Sequence, residues 1–175
     1  GQKQERTPTW YGVILENAKN TESAQVMQYL WTGEWPEHRV PSMSALTING
    51  LRAQDSVRLI EGHICQADVI IENPSEQDLK YRWEIMAEVD KSVESDGGDF
   101  EPRPDVIWSD SSENSAANIE FAAPSAGEYR LFVYVEDSHD NAATANVPIL
   151  VKPVANVSFI DLMLDRLKKY FAISA

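Results

Sequence analysis

A mainly β, two-layer antiparallel sandwich, flanked by an N-terminal helical lead-in and a C-terminal helix, is the fold class the sequence predicts. Three observations predict it. Short apolar runs recur between turn signals from residue 41 to residue 152. Several of these runs alternate apolar and polar residues with a period of two, the mark of a strand with one buried face. Strand and helix patterns do not alternate along the chain, so nothing asks for a parallel sheet.

Residues 1–40 read as the lead-in. Thr7-Pro8-Thr9-Trp10-Tyr11-Gly12 looks extended, and Val13-Ile14-Leu15 continues it as a short strand. Thr21 is placed to cap a helix in which Ala24, Met27, Gln28 and Trp31 share a face, with Val26 and Leu30 beside it. Gly33 ends that helix and Pro36 prevents its resumption. The apolar runs then begin. Met43 to Ile48 closes on Asn49-Gly50, and Ser56 to Ile60 closes on Glu61-Gly62. Cys65, Ala67, Val69 and Ile71 share one face of the next strand, and Leu79, Tyr81, Trp83 and Ile85 one face of the strand after it.

From Ala87 to Ala117 the pattern fades into a polar stretch, interrupted by Val106-Ile107-Trp108. A stretch this long inside a compact domain reads as a functional or mobile loop. Alternation returns at Ile119 and Phe121. The clearest strand follows, with Tyr129, Leu131, Val133 and Val135 on one face and Phe132 and Tyr134 on the other. The last strand runs from Ala143 to Val151. Its Pro148 lacks an N–H, which predicts an edge position or a bulge. Residues 153–175 read as an amphipathic tail helix, with the lead-in helix as its natural packing partner.

About seven short strands of this kind indicate a Greek-key, Ig-like sandwich. Trp83 stands where Ig-like domains bury a core tryptophan, and Gly127-Glu128-Tyr129-Arg130-Leu131 has the spacing of a tyrosine corner. Cys65 is the single cysteine, which excludes an intrachain disulfide and a thiolate-rich metal site; it reads as a small buried hydrophobe. The formal net charge of −13 excludes nucleic acid, whose phosphates need a basic surface, and an anionic membrane surface. No apolar run reaches the roughly 18 residues of a membrane helix, so membrane insertion is not expected. No basic-then-apolar leader is visible, and Gly1 reads as a remnant of tag cleavage.

Leu79-Lys80-Tyr81-Arg82-Trp83, Gly127 to Leu131 and Val135-Glu136-Asp137 together resemble a PKD-type domain, an Ig-like module of extracellular proteins. One departure is that Glu84-Ile85-Met86 continues the tryptophan's strand where PKD domains turn tightly. Thr7 to Gly12 and Tyr29-Leu30-Trp31-Thr32-Gly33-Glu34-Trp35-Pro36 resemble a segment of bacterial family 2-like glycoside hydrolases. There it follows the catalytic TIM barrel and leads into a domain of this type. Arg82 to Ile85, Gly97 to Glu101 and Tyr129 to Tyr134 resemble that domain too. The resemblance implies a non-catalytic accessory role in a secreted enzyme, extracellular or periplasmic in a bacterium. It implies a TIM barrel of the same polypeptide or operon as partner. It supplies no catalytic residue, because the barrel strands bearing the two carboxylates lie outside this chain.

The chemistry-bearing residues fall into three groups. Asp96, Asp99, Glu101 and Asp105 are acidic but sit on a polar loop without the apolar surroundings that raise a catalytic pKa. Asp96, Asp99 and Glu101 are also a candidate calcium cluster, and Asp137, Asp140 and Asn141 a second one, better explained as turn formers. No other cofactor is expected. Aromatics outside the regular strands are candidates for stacking on sugar rings: Trp108 with Asp99, Glu101 and Arg103 beside it, and Trp35. Trp10 and Trp31 read rather as packing residues. His38, His63 and His139 are far apart in sequence and lack zinc-site spacing. Two other readings stand beside the accessory module: an independent carbohydrate-binding module, with a polysaccharide as partner, and a protein-binding Ig-like adaptor.

Overall fold

The computed structural model describes residues 13–15, 17–72, 79–88, 104–112 and 115–154. The tail helix expected over 153–175 lies outside them except for Pro153 and Val154, as do Trp10 and the Gly97 to Glu101 segment. The first described element is helix α1, Glu22–Thr32. Thr21 is at its N-cap position in extended conformation, and its hydroxyl donates to the carbonyl of Val13. Gly33 closes it in the left-handed region (φ 77°), its N–H donating to the Tyr29 carbonyl at 2.8 Å. The strands follow as β1 (Met43–Ile48), β2 (Arg58–Ile60), β3 (Ile64–Ile71), β4 (Lys80–Ala87), β5 (Val106–Asp110), β6 (Asn118–Ala122), β7 (Gly127–Glu136) and β8 (Ala142–Lys152).

They form two sheets. One has three strands in the order β1-β3-β6; the other has five, in the order β2-β8-β7-β4-β5. All pairings are antiparallel except β2 with β8. Asn49 and Gly50 both take positive φ (50° and 78°), the pair of angles a two-residue hairpin turn requires. The inner faces of the two sheets meet in one core. Leu46, Ile48, Cys65, Ala67, Val69, Ile119 and Phe121 come from the smaller sheet. Leu59, Trp83, Ile85, Tyr129, Leu131, Val133, Val135, Val147, Ile149 and Val151 come from the larger. These are the period-two faces of the sequence. Trp83 is fully buried, and its indole N–H donates to the Ala116 carbonyl at 3.0 Å. The Tyr129 ring lies over Gly127, where a Cβ would meet the phenol oxygen at 3.0 Å, and that oxygen is 3.2 Å from the Ser125 hydroxyl.

The larger sheet also buries its outer face. Met86, Phe132 and Tyr134 form a second cluster against Leu15 of the lead-in. The Arg82 guanidinium lies over the Tyr134 ring at 3.8 Å and pairs with Glu84. Arg130 is held by Glu88 at 2.8 Å and by Asn146 at 2.7 Å. The outer positions of β4 and β7 therefore carry long amphipathic residues, whose stems cover apolar surface while their heads pair.

One expectation changes and another narrows. Val106-Ile107-Trp108 is part of a strand, β5, that extends the larger sheet beside β4, with Trp108 opposite Ile85. Pro148 is in β8, an inner strand of the sheet order, but at position 148 the strand pairs with β7 alone, so the expected edge position holds locally and not for the whole strand. The register explains why it is tolerated. The Leu150 N–H points away from β7 to the Val57 carbonyl, so position 148, two residues earlier, faces the same side. β2 pairs only with Leu150, Val151 and Lys152, and position 148 lies beyond its reach. A proline there removes a donor the ladder never uses.

Cys65 is free and buried, and burial pushes its thiol up, against a smaller opposing effect of Asn49. A protonated, enclosed thiol is a poor nucleophile. Reaction of the folded protein with a thiol reagent at neutral pH is expected to run at least about tenfold slower than in denaturant. Equal rates in the two conditions would show that Cys65 is accessible.

Candidate functional site

The lead-in meets the sandwich at the β7–β8 turn, and among the described residues three of the four buried polar side chains, Gln25, Asp137 and Asn141, are there. The turn is organised by Asp137. One of its carboxylate oxygens accepts the N–H groups of His139 (2.8 Å) and Asn141 (3.0 Å), and the other accepts from the Asn141 carboxamide (3.0 Å). This is the local self-satisfaction that makes Asp a turn former. Asp140 sits in the left-handed region (φ 59°). Asn20 of the lead-in then joins the hairpin: its N–H donates to the Asp140 carbonyl, and its own carbonyl accepts from Ala142 N–H, both at 2.8 Å.

Gln25 locks α1 onto this turn. It is the buried residue of the helix. Its carboxamide nitrogen donates to the His38 carbonyl (2.9 Å) and to Asn141 Oδ1 (3.1 Å). Its oxygen accepts from Arg39 Nε (3.0 Å) and from the Val40 N–H (3.1 Å). Helix, linker and turn are thus fastened by one side chain using both donors and both lone pairs. Above it the imidazoles of His38 and His139 stack in parallel, 3.6 Å between centroids. A cleft of about 510 Å³ opens beside them, lined from α1, from the linker at Pro36, Glu37 and His38, and from the turn. Lys19 and Asp140 pair at its edge at 2.8 Å. Their hydrogen bond holds the lysine above and the exposed aspartate below their ordinary values.

Elsewhere on α1, apolar side chains are exposed among the described residues. Leu30 is 72% and Trp31 77% exposed, with Val26 and Tyr29 partly so. Trp35 stacks on Tyr29 (centroids 4.4 Å, planes 10° apart) and receives the Arg39 guanidinium at 3.8 Å from its ring centre. The expected packing role of Trp31 is not met among the described residues, because the helix turns Gln25, not Trp31, toward the sandwich.

Of the residues singled out from sequence, Asp96, Asp99, Glu101 and Arg103 lie outside the described residues. Trp108 is half-buried on β5, 5.8 Å from the Phe121 ring at the edge of the core. Asp105 is exposed. Asp137 and Asn141 satisfy each other and the turn, and Asp140 holds Lys19, so the second acidic cluster has its oxygens committed to the chain itself. Among the described residues, no group of three or more His, Cys, Asp and Glu side chains converges as a metal site would. The residues missed were Gln25, His38 and His139. Gln25 lies 116 positions from Asn141, and no local spacing announces the contact.

No protein-family model and no curated protein matches the chain. Among solved structures it is similar to the extracellular domain of a one component system from B. thetaiotaomicron, 12% identical with a TM-score of 0.41. That match covers 68% of this chain and 16% of the other, so the chain spans a small part of that protein's length. It is also similar to the PmoD soluble domain from Methylocystis sp. ATCC 49242 (Rockwell), 15% identical with a TM-score of 0.40, over 61% of this chain and 90% of the other.

Proposed function

We propose that the chain is a non-catalytic, PKD-type Ig-like module of a secreted bacterial glycoside hydrolase, extracellular or periplasmic, that docks on the enzyme's TIM barrel through α1 and the linker after it. The observation that carries the docking is the set of exposed apolar side chains on α1, Val26, Leu30 and Trp31, together with the Tyr29–Trp35–Arg39 stack. An isolated exposed leucine means little, but several exposed apolar residues on one short segment, with tryptophan and arginine among them, have the composition of an interface centre. The stack leaves the rings held in place before a partner arrives, which lowers the entropy cost of association. Branched aliphatic leucine and valine beside the tryptophans favour a protein surface over a sugar, whose C–H face packs best on a flat ring and whose hydroxyls find no partner on aliphatic side chains.

The Ig-like assignment draws on Trp83 buried on β4 and Tyr129 at the start of β7, with β3 beside β6 in one sheet and β4-β7-β8 adjacent in the other. The test is a pull-down and titration against the catalytic barrel of the same polypeptide or operon. Leu30→Ser with Trp31→Ser is expected to weaken binding by about tenfold or more, with the thermal midpoint of the isolated chain almost unchanged. Undiminished binding by that variant would remove α1 from the interface. Failure of the barrel to bind the unaltered chain would overturn the accessory role.

A further inference from the structure

We infer that the polar cleft between α1, the linker and the β7–β8 turn is a binding site for a neutral, hydroxyl-rich ligand: a short length of glycan. The inference rests on the reading of the chain as a module of a glycan-degrading enzyme, but on residues other than those proposed for docking. Its volume, about 510 Å³, falls in the size range of small-ligand sites. Its walls are fixed in advance. Gln25 and Asn141 spend their carboxamides on each other, on Asp137 and on the linker, so the cleft does not need a ligand to hold its shape.

The lining chemistry selects the ligand by elimination. No lysine or arginine lines the cleft, and the charge of Asp140 is offset by Lys19 at its edge, so Glu37 leaves the lining with nothing to attract an anion. The nearest cations are committed: Lys19 to Asp140, and Arg39 to Gln25 and the Trp35 ring. Ala24 and Pro36 are the apolar lining residues, too small a surface to hold an apolar ligand by desolvation. A metal ion would need ligands whose lone pairs converge, and the parallel imidazoles of His38 and His139 direct theirs side by side. What remains on the rim is planar or hydroxylic and both donates and accepts: Gln28, Ser138 and the two imidazoles, with the Glu37 carboxylate as an acceptor. Neighbouring hydroxyls of a pyranose offer the complementary pairs, and Ala24 and Pro36 can meet its C–H face.

The test is an NMR titration of the full isotope-labelled chain with cellotriose, xylotriose and mannotriose, using glucosamine and glucose 6-phosphate as charged counterparts. At least one neutral trisaccharide is expected to shift the side-chain resonances of Gln28, His38 and His139 in the millimolar range, more strongly than either charged sugar. Ser138→Trp, which fills the cleft, and Gln28→Ala are each expected to weaken that response by about tenfold. Leu30→Ser with Trp31→Ser should leave it unchanged, so loss of docking and loss of glycan binding are read separately. The inference is overturned by silence with all three trisaccharides, by shifts centred on Trp31 or Trp108, or by a stronger response to a charged sugar. It is overturned equally if Ser138→Trp and Gln28→Ala, still folded by their spectra, bind as the unaltered chain does.

Discussion

Trp83→Ala is expected to remove most of the chain's stability. The indole is fully buried at the centre of β4, among residues from both sheets. Truncating a buried tryptophan costs about 3–5 kcal/mol, because the lost burial is compounded by a cavity that neighbours fill only in part. The Ala116 carbonyl also loses its indole donor, adding about 1 kcal/mol. Against a total of roughly 5–15 kcal/mol for a domain, the sum leaves a marginal fold. Trp83→Phe restores most of the volume but not the hydrogen bond and is expected to fall between the two. Urea unfolding followed by circular dichroism gives both numbers. A loss below about 2 kcal/mol for Trp83→Ala would mean that the two sheets do not depend on this ring to stay together.

Trp83 was legible in the sequence for the same reason that it matters. A strand repeats every two residues, so one buried face writes its period directly into the chain. Cys65, Ala67 and Val69, and Tyr129, Leu131, Val133 and Val135, all follow it. The pattern weakens where a strand is covered on both sides. On β4, Trp83, Glu84, Ile85 and Met86 are all buried in succession. Glu84 reads as an outward, solvated position until the Arg82 guanidinium beside it is seen. β5 was missed for another reason. Its exposed Val106 and Ile107 give no alternation, and only pairing with β4 makes them a strand.

The candidate site was hidden more thoroughly. Its polar residues belong to three segments, each of which has an innocent local explanation. Asp137 to Asn141 reads as a turn, which it is. His38 reads as a linker residue. Gln25 reads as one polar position in an amphipathic helix. Helix periodicity pointed the wrong way here, because it assumes that the apolar stripe faces the core. In α1 a glutamine goes in toward the sandwich, while Leu30 and Trp31 are exposed among the described residues. A buried carboxamide with four hydrogen bonds can replace an apolar contact as an anchor, since leaving any of its partners unpaired is costly.

That anchor gives the second large effect. Gln25→Ala is expected to release the lead-in from the sandwich while leaving the sandwich itself folded. The substitution removes the side-chain acceptor of the Val40 N–H and a donor from Asn141 Oδ1 and from the His38 carbonyl, which keeps only the longer bond from Asn141 Nδ2. At about 1–3 kcal/mol for a buried group left unsatisfied, partly relieved by water entering the cleft, the net cost is about 2–4 kcal/mol. Local opening of α1 and the linker should absorb it, because the other described contacts that hold the lead-in lie mostly before the helix: Leu15 on Phe132 and Tyr134, Asn17 with Glu136, the Asn20 backbone pair and Lys19 with Asp140. The stacked imidazoles and the long Asn141-to-His38 hydrogen bond are left to hold the linker. Hydrogen exchange resolves the outcome residue by residue. Protection of the α1 amides and of Val40 should fall by about thirtyfold or more, while the β7 and β8 amides keep theirs. Gln25→Glu separates anchoring from packing. It keeps an acceptor for Arg39 and Val40 but places a carboxylate against two oxygens, Asn141 Oδ1 and the His38 carbonyl, with nothing to donate at neutral pH. It should lose protection nearly as far as Gln25→Ala despite its matching shape. If Gln25→Glu instead behaves as the unaltered chain, shape alone holds the helix, and a uniform loss of protection across β7 and β8 would show that the lead-in and the sandwich unfold together.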